Sequence, residues 1–380
     1  MIALSRADRD GVNAAISASL ARLTGRAAAL GEGASSLASA VAAAASDGKR
    51  VRPALVVAAY RALCAPASVC AAVGAAGACA SGGAAGAGDR EDEESAEAAL
   101  WQTAAAFELL HTAFVVHDDL IDRDLERRGV PNVAGRFRAR AAQYGASADD
   151  AALVGDAAAV LAGDLLLFEA ARLVATVDVD AAARGALLQV FDDAILVSAA
   201  GELADVENAA RTDVPDTAAL LGVAHDKTAA YSFEAPLLAG AALAGASSEA
   251  RAALAAAAAD LGLAFQLVDD LIGTFGTRRQ AGRAPGADLR EAKRTPLIGF
   301  ARGGNAWPQV RSALALAHTG PIAVRRAQRE LEASGARDEV VVLVGDALQR
   351  ARSRAASPAL PAPAVALLAD IATAIEERIP

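Results

Sequence analysis

Apolar positions recur every three to four residues along most of the chain, the spacing of one helical face and not the alternation of a strand. The pattern predicts an amphipathic helix over residues 1–30 and another over about 34–46. A basic loop, Gly48-Lys49-Arg50-Val51-Arg52-Pro53, then leads into an apolar helix to about Leu63. Periodicity returns in a long helix from about Ala96 to Asp124, and again near 149–176, 180–208, 216–244 and 248–275. Three more helices fill 305–380, interrupted by the proline-rich stretch Pro358 to Pro363. Leu125 to Gly145 and Thr277 to Arg294 stand outside the pattern as basic, turn-rich segments. Residues 64–98 lack bulky hydrophobes and read as a flexible insertion, because they cannot build a core of their own. The expectation is an all-α chain forming a single domain over 1–380.

Composition sharpens this. Hydrophobic residues make up 54% but aromatics only 4%. Alanine, the best helix former, supplies the difference. The mean hydropathy of +0.30 is therefore an alanine effect. No run of about twenty apolar residues escapes interruption by charge or glycine, so no transmembrane segment is expected. Met1 to Asp10 carries both charge signs and no signal-peptide pattern, which points to the cytoplasm. A net charge of −10 argues against nucleic acid as a partner. Cys64, Cys70 and Cys79 show no CxxC spacing, so neither a zinc site nor a disulfide framework follows.

Two acidic motifs break the apolar helices. One is His117-Asp118-Asp119-Leu120-Ile121-Asp122; the other is Gln266-Leu267-Val268-Asp269-Asp270. On a helix Asp118 and Asp122 share a face, where like charges repel unless a cation compensates them. Hard oxygens so placed suit Mg2+, which takes one or two carboxylates and completes its shell with phosphate oxygens and water. His111 lies on the same stripe, within roughly 40° of both acids. Cationic loops supply the complement: Lys49, Arg50 and Arg52 before one helix, Arg127 and Arg128 just beyond the first acidic motif. Arginine grips phosphate as a bidentate fork and lysine as a point charge. Together they suggest two polyphosphate subsites, one bridged by metal and one held by side chains alone.

These motifs, in this order over about residues 45–300, resemble the trans-isoprenyl diphosphate synthases of the polyprenyl synthetase family. The resemblance implies a bundle of long helices around a deep apolar cavity, a homodimer, and head-to-tail condensation of isopentenyl diphosphate with an allylic diphosphate. It implies metal ligands at Asp118, Asp122 and Asp269, with Asp119 and Asp270 alongside. The expected cofactor is Mg2+, about three ions per site in this family, with Mn2+ able to substitute. Lys49, Arg52, His111 and Arg128 match the positions that hold isopentenyl diphosphate. Arg127, Lys227 and Arg283 match cations around the allylic diphosphate. Thr228 and Gln266 match groups beside the reacting carbons, and Lys293 a basic residue near the closing loop.

The chain departs from the family pattern at three positions. Gly273 replaces the usual third acid of the second motif, Arg283 stands where Lys is common, and Glu202 where Gln is common. Product length in such a cavity depends on its floor. Phe114, one turn before Asp118, is bulky, whereas its neighbour Ala113 is small, which favours geranylgeranyl over farnesyl diphosphate. Two rivals remain: a terpene cyclase, which needs no second diphosphate subsite, and a non-catalytic subunit that modulates an active synthase. No Ser-His-Asp or Cys-His arrangement offers a protein nucleophile, since His225 and His318 have no evident partners in the sequence.

Overall fold

Nearly every element the periodicity predicts is a helix in the computed structural model, which describes residues 2–46, 48–64, 87–281 and 284–380 (for 87–92 and 281 the backbone alone). In chain order the helices are α1 (Arg6–Ala28), α2 (Glu32–Ala45), α3 (Val51–Leu63) and α4 (Ala87–Ile121). A hairpin of β1 (Glu126–Arg127) and β2 (Val130–Pro131) follows. Then come α5 (Val133–Gln143), α6 (Ala148–Ala175), α7 (Ala181–Ala210) and α8 (Thr217–Ala224). A π-helical segment, His225–Glu234, joins α8 to α9 (Ala235–Leu243). The chain continues through α10 (Ser248–Phe275), α11 (Arg278–Ala281), α12 (Ala287–Arg290), α13 (Pro296–Gly303), α14 (Trp307–Leu314), α15 (Pro321–Ala333), α16 (Ala336–Ala355) and α17 (Ala362–Glu376). The all-α expectation holds.

The structure differs from the expected elements at five places. The segment after the first acidic motif is a hairpin and then α5, not one irregular loop. Asn132 starts α5 by accepting a hydrogen bond from the Gly135 N–H, an N-cap inside what reads as a basic turn. The helix expected over 216–244 is divided by the π segment, and the basic loop after α10 holds α11 and α12. The C-terminal region has four α-helices where three were expected, because Gly335 at positive φ separates α15 from α16. α4 starts at Ala87, so residues 87–98 are helix and not part of the insertion. Cys70 and Cys79, and the rest of the expected insertion over 65–86, lie outside the described residues.

The chain divides into two compact units. One comprises Ala3–Phe191 and Ala239–Gly245. At its centre α4 packs against α1, α3 and α6, and every residue from Ala104 to Leu110 is buried. Phe107 meets Phe191 edge-on at 5.9 Å. The other unit comprises Asp192–Leu238 and Ala246–Pro380, with α10 central against the π segment, α16 and α17. α10 opens on Ser247, whose hydroxyl accepts from the Ala250 N–H, and its apolar face is largely buried.

Three helical stretches, Glu93–Ile121, Ala148–Ala175 and Ser248–Phe275, are long and apolar enough to cross a membrane by length and composition, where the charge and glycine interruptions predict none. Of their most apolar windows 72%, 39% and 50% is buried within the protein. The middle one, α6, leaves Leu153, Leu161 and Phe168 exposed.

Candidate active site

In the first unit the C-terminal end of α4 carries the acids. The Asp122 N–H donates to the Asp118 carbonyl at 2.8 Å, so helical geometry reaches Asp122 and both carboxylates leave one face. Asp118 is half-buried and Asp122 exposed. Asp119 points elsewhere. It is buried, accepts from Arg127 Nε at 3.0 Å and pairs with Arg127 Nη2 at 2.8 Å. Burial pushes the Asp119 carboxyl up, and Arg127 opposes that shift. Burial also works against the Arg127 guanidinium, but Asp119, Asp118 and Asp124 outweigh it and hold its pKa above the ordinary value. Asp119 therefore fastens the hairpin to the helix, through Arg127. His117, on another side of α4, reaches the Val160 carbonyl at 3.3 Å and Asp164 at 3.8 Å on α6.

The hairpin presents the next cations. Arg127 pairs with Val130 across a two-residue turn whose central residues, Arg128 and Gly129, have φ of 55° and 78°. Positive φ at both positions is the type I′ signature. An arginine in the left-handed region is strained, yet the turn sets Arg128 at its tip. Arg52, Arg127, Arg128 and Arg50 all act on His111. Burial first, then these four guanidiniums in that order, lower its pKa well below the usual imidazole range. A neutral imidazole among four cations is a site that an anion stabilises.

Arg50 needs a correction. It was expected to bind substrate, but its side chain is buried and fully engaged. It donates to Glu108 Oε1 at 3.0 Å, to Asn13 Oδ1 at 3.2 Å and to the Ala45 carbonyl at 3.1 Å. Arg50 thus pins the basic loop to α4 one turn before His111, and contributes field without contact. Lys49 beside it is exposed, and Arg52 is half-buried.

In the second unit α10 carries Gln266, Asp269 and Asp270. Asp270 is buried, and its carboxyl is pushed well above the usual range by burial and then by Asp288. Gln266 Nε2 donates to Asp270 Oδ1 at 2.9 Å, which leaves the Gln266 carbonyl oxygen able to face a cation. Lys293 adds a smaller downward pull on Asp270. Asp269 is paired with Arg378, whose guanidinium also lies 4.4 Å from the centre of the Phe265 ring.

The π segment carries Lys227 and Thr228. Gly201 on α7 lets it approach, since a Cβ there would overlap the backbone of Asp226 and Lys227. The Lys227 ammonium donates to Asp205 at 2.7 Å and Glu202 at 3.1 Å. π-helical insertions often mark functional sites, and this one runs for ten residues. Phe233, farther along the segment, packs on Phe265 of α10 at 4.6 Å. Thr228 is half-buried. Arg283 lies outside the described residues.

Among the described residues no group of three or more His, Cys, Asp or Glu side chains is drawn together as a metal cage. Each motif instead offers one or two hard oxygens, which suits Mg2+ shared with phosphate. The raised Asp270 next to Asp288 and Asp269 is a like-charge cluster that a divalent cation relieves. The donor chemistry fits the metal. The acids, the basic loops and the Lys227–Thr228 pair are visible in the sequence. Glu108, Asp205, Asp288 and Arg378 are not, because each acts through a partner distant in the chain.

The polyprenyl synthetase family profile matches residues 35–318. Among curated relatives, (2E,6E)-farnesyl diphosphate synthase of Mycobacterium tuberculosis is 39% identical over 205 residues, 53% of this chain and 51% of the relative. Geranylgeranyl diphosphate synthase of Sulfolobus acidocaldarius is 32% identical over 205 residues, 52% and 55% of the two chains. The chain thus matches about half the length of these relatives. The crystal structure of geranylgeranyl pyrophosphate synthase from Corynebacterium glutamicum, complexed with isoprenyl diphosphate and magnesium, superposes with a TM-score of 0.82 at 24% identity, covering 98% of each chain. The fold is shared.

Proposed function

The chain belongs to the polyprenyl synthetase family, and from that premise we propose that it is a trans-prenyltransferase joining isopentenyl diphosphate head-to-tail to an allylic diphosphate. The observation that carries this is the cation cluster around His111, on the same helical stripe as the paired carboxylates Asp118 and Asp122. A terpene cyclase, with a single diphosphate to hold, needs no such cluster. A non-catalytic subunit has no use for both acidic motifs together with the cationic loops.

In this reading Arg52, Arg128, Lys49 and the neutral His111 hold the isopentenyl diphosphate by side chains alone. By the family resemblance Arg127, anchored by Asp119, and Lys227 on the π segment would meet the allylic diphosphate, as would Arg283. Asp118, Asp122 and Asp269, with Asp270 behind, would hold Mg2+, about three ions by the family resemblance, with Mn2+ able to substitute. Bound there, the metal neutralises the allylic diphosphate and makes it a better leaving group. Thr228 and the Gln266 carbonyl turn the negative ends of their dipoles towards the allylic cation. Apolar side chains keep water from it. The isopentenyl double bond attacks, and the departed diphosphate removes the proton. No protein nucleophile is required.

Geranylgeranyl diphosphate is our preferred product, because Ala113 is small, with farnesyl diphosphate, which Phe114 would enforce as cavity floor, or a longer chain as the alternatives. Relatives are named for farnesyl, geranylgeranyl and geranylfarnesyl diphosphate, so product length rests here on the cavity residues. A homodimer is supported by the exposed apolar stripe Leu153, Leu161 and Phe168 on α6, which a second copy would cover. We place the protein in the cytoplasm.

The test is incubation with labelled isopentenyl diphosphate, Mg2+ and each allylic starter separately, resolving products by chain length. Elongation that needs Mg2+ and is lost in Asp118→Asn is the expected result. No elongation with any starter would move the assignment to a non-catalytic subunit.

A further inference from the structure

A cavity of about 440 Å³ opens in the second unit, between the turn after α7, the loop Leu289 to Arg294, and helices α13 and α14. None of the acids or the Lys227–Thr228 pair lines it; Lys293 alone is shared with the proposed active site. Its floor is apolar: Leu289 and Ile298 are buried, and Trp307 supplies a half-buried indole wall. Its rim is cationic. Lys293, Arg294, Arg302 and Arg311 line it against a single carboxylate, Asp213. That carboxylate is already taken by Arg211 in a two-point pair of 3.0 and 3.2 Å.

Arg294 shows how the rim is built. Its guanidinium donates to the Asp213 carbonyl at 2.5 Å and to the Arg211 carbonyl at 2.6 Å, closing the α7–α8 turn over the cavity. Arg302 and Arg311 stand exposed on α13 and α14, in the position to meet an anion from solvent. The volume lies in the range of small-molecule sites. Leu289, Ile298 and Leu314 with the Trp307 ring suit an isoprenoid chain, and Thr212 and Asp213 are the uncharged and acidic polar side chains in the lining. An apolar floor beneath a ring of cations matches a ligand with a hydrocarbon tail and a diphosphate head.

We propose that this cavity is a second, peripheral site for a prenyl diphosphate, with Arg302 and Arg311 on the head group and Leu289, Ile298 and Trp307 along the chain. The identity of the ligand rests on the proposed activity; the site itself rests on the cavity. Asp288 directly precedes Leu289 on α12 and packs against Gly273 behind Asp270, so occupancy there touches the segment that supports the second acidic motif.

Emission of Trp307 reads the site directly. The full-length protein is titrated in EDTA with farnesyl thiodiphosphate, a non-ionising analogue, and in parallel with inorganic diphosphate and with ATP. A saturable change is expected with the thiodiphosphate, absent in Trp307→Phe, weakened at least tenfold in R302Q/R311Q and kept in R302K/R311K. R302Q/R311Q should melt as the parent does and keep Mg2+-dependent elongation. No saturable change, an undiminished change in R302Q/R311Q, or equal affinity for inorganic diphosphate or ATP overturns the proposal. If the change is seen but no elongation occurs, the site stands and the proposed activity falls.

Discussion

Gly273 and Asp288 contend for one space: a Cβ on Gly273 would overlap the Asp288 carboxylate. The missing third acid of the second motif is thus replaced in space. Asp288 brings a carboxylate from α12 to the side of α10 where residue 273 has none, and acts electrostatically on Asp270.

It follows that Gly273→Asp, which restores the motif on paper, should damage the protein. Overpacking a filled site costs about 1–3 kcal/mol, and a second buried carboxylate adds to that. Gly273→Asp combined with Asp288→Ala should recover most of the loss, a coupling that urea denaturation of the four-member cycle measures. Equal stability of Gly273→Asp and the parent would show that the two residues do not compete.

Arg50 and Arg52 are two residues apart and should fail in different ways. Arg50 and Glu108 form a buried pair with side chains 6% and 5% exposed. Removing one partner of such a pair costs about 3–5 kcal/mol. Arg50→Ala should therefore lose stability by about that amount in urea, whereas Arg52→Ala should unfold near the parent's midpoint and raise the KM for isopentenyl diphosphate. The reverse pattern would return Arg50 to the substrate.

His111 sets a pH dependence. Its folded pKa lies well below its unfolded value, through burial and then Arg52, Arg127, Arg128 and Arg50. Between the two pKa values the unfolded chain binds a proton that the folded chain refuses, so stability falls as pH drops below about 6.5 and levels off at the folded pKa. His111→Gln should flatten that part of the melting-temperature profile while leaving the neutral side of it parallel to the parent. An unchanged acid limb would mean that His111 is not the group refusing the proton.

The contrast between Arg50 and His111 also marks what a sequence can disclose. Asp118, Asp122 and His111 are legible because a helix repeats locally, so spacing alone fixes their common face. Arg50 looks like one more loop cation until Glu108, 58 residues later, is seen to hold it. α5 is hidden because arginine and alanine fill most of it, and its only start signal is Asn132. The same limit applies to Glu202, which in sequence is a departure of unknown sign and in the structure is a second carboxylate on Lys227.

That contact gives Glu202 a direction. With Asp205 it encloses the Lys227 ammonium in negative charge and weakens the cation available to an allylic diphosphate. Glu202→Gln keeps a hydrogen-bond acceptor and removes one charge. For a partly exposed pair worth about 0.2–1 kcal/mol, the KM for the allylic diphosphate should fall by up to roughly fivefold. A raised KM would mean that Glu202 positions Lys227 usefully.

Arg378 poses the corresponding question at the metal. It pairs with Asp269, the leading acid of the second motif, while lying over Phe265. Arg337, stacked 5.3 Å from the Phe275 ring centre, donates to the Pro380 carbonyl and holds the same segment along α10. A cation already on Asp269 competes with any other, so Mg2+ must displace Arg378 from that carboxylate or share it. Arg378→Gln should then lower the apparent Kd for Mg2+ by roughly twofold to fivefold, the scale of a partly exposed ion pair. The rise of melting temperature with Mg2+ concentration reports that Kd without any turnover. Arg378→Lys, which keeps the charge but not the planar stack, should stay near the parent. If Arg378→Gln melts lower at every Mg2+ concentration and its Kd is unchanged, Arg378 only secures the chain to α10 and has no part in the metal equilibrium.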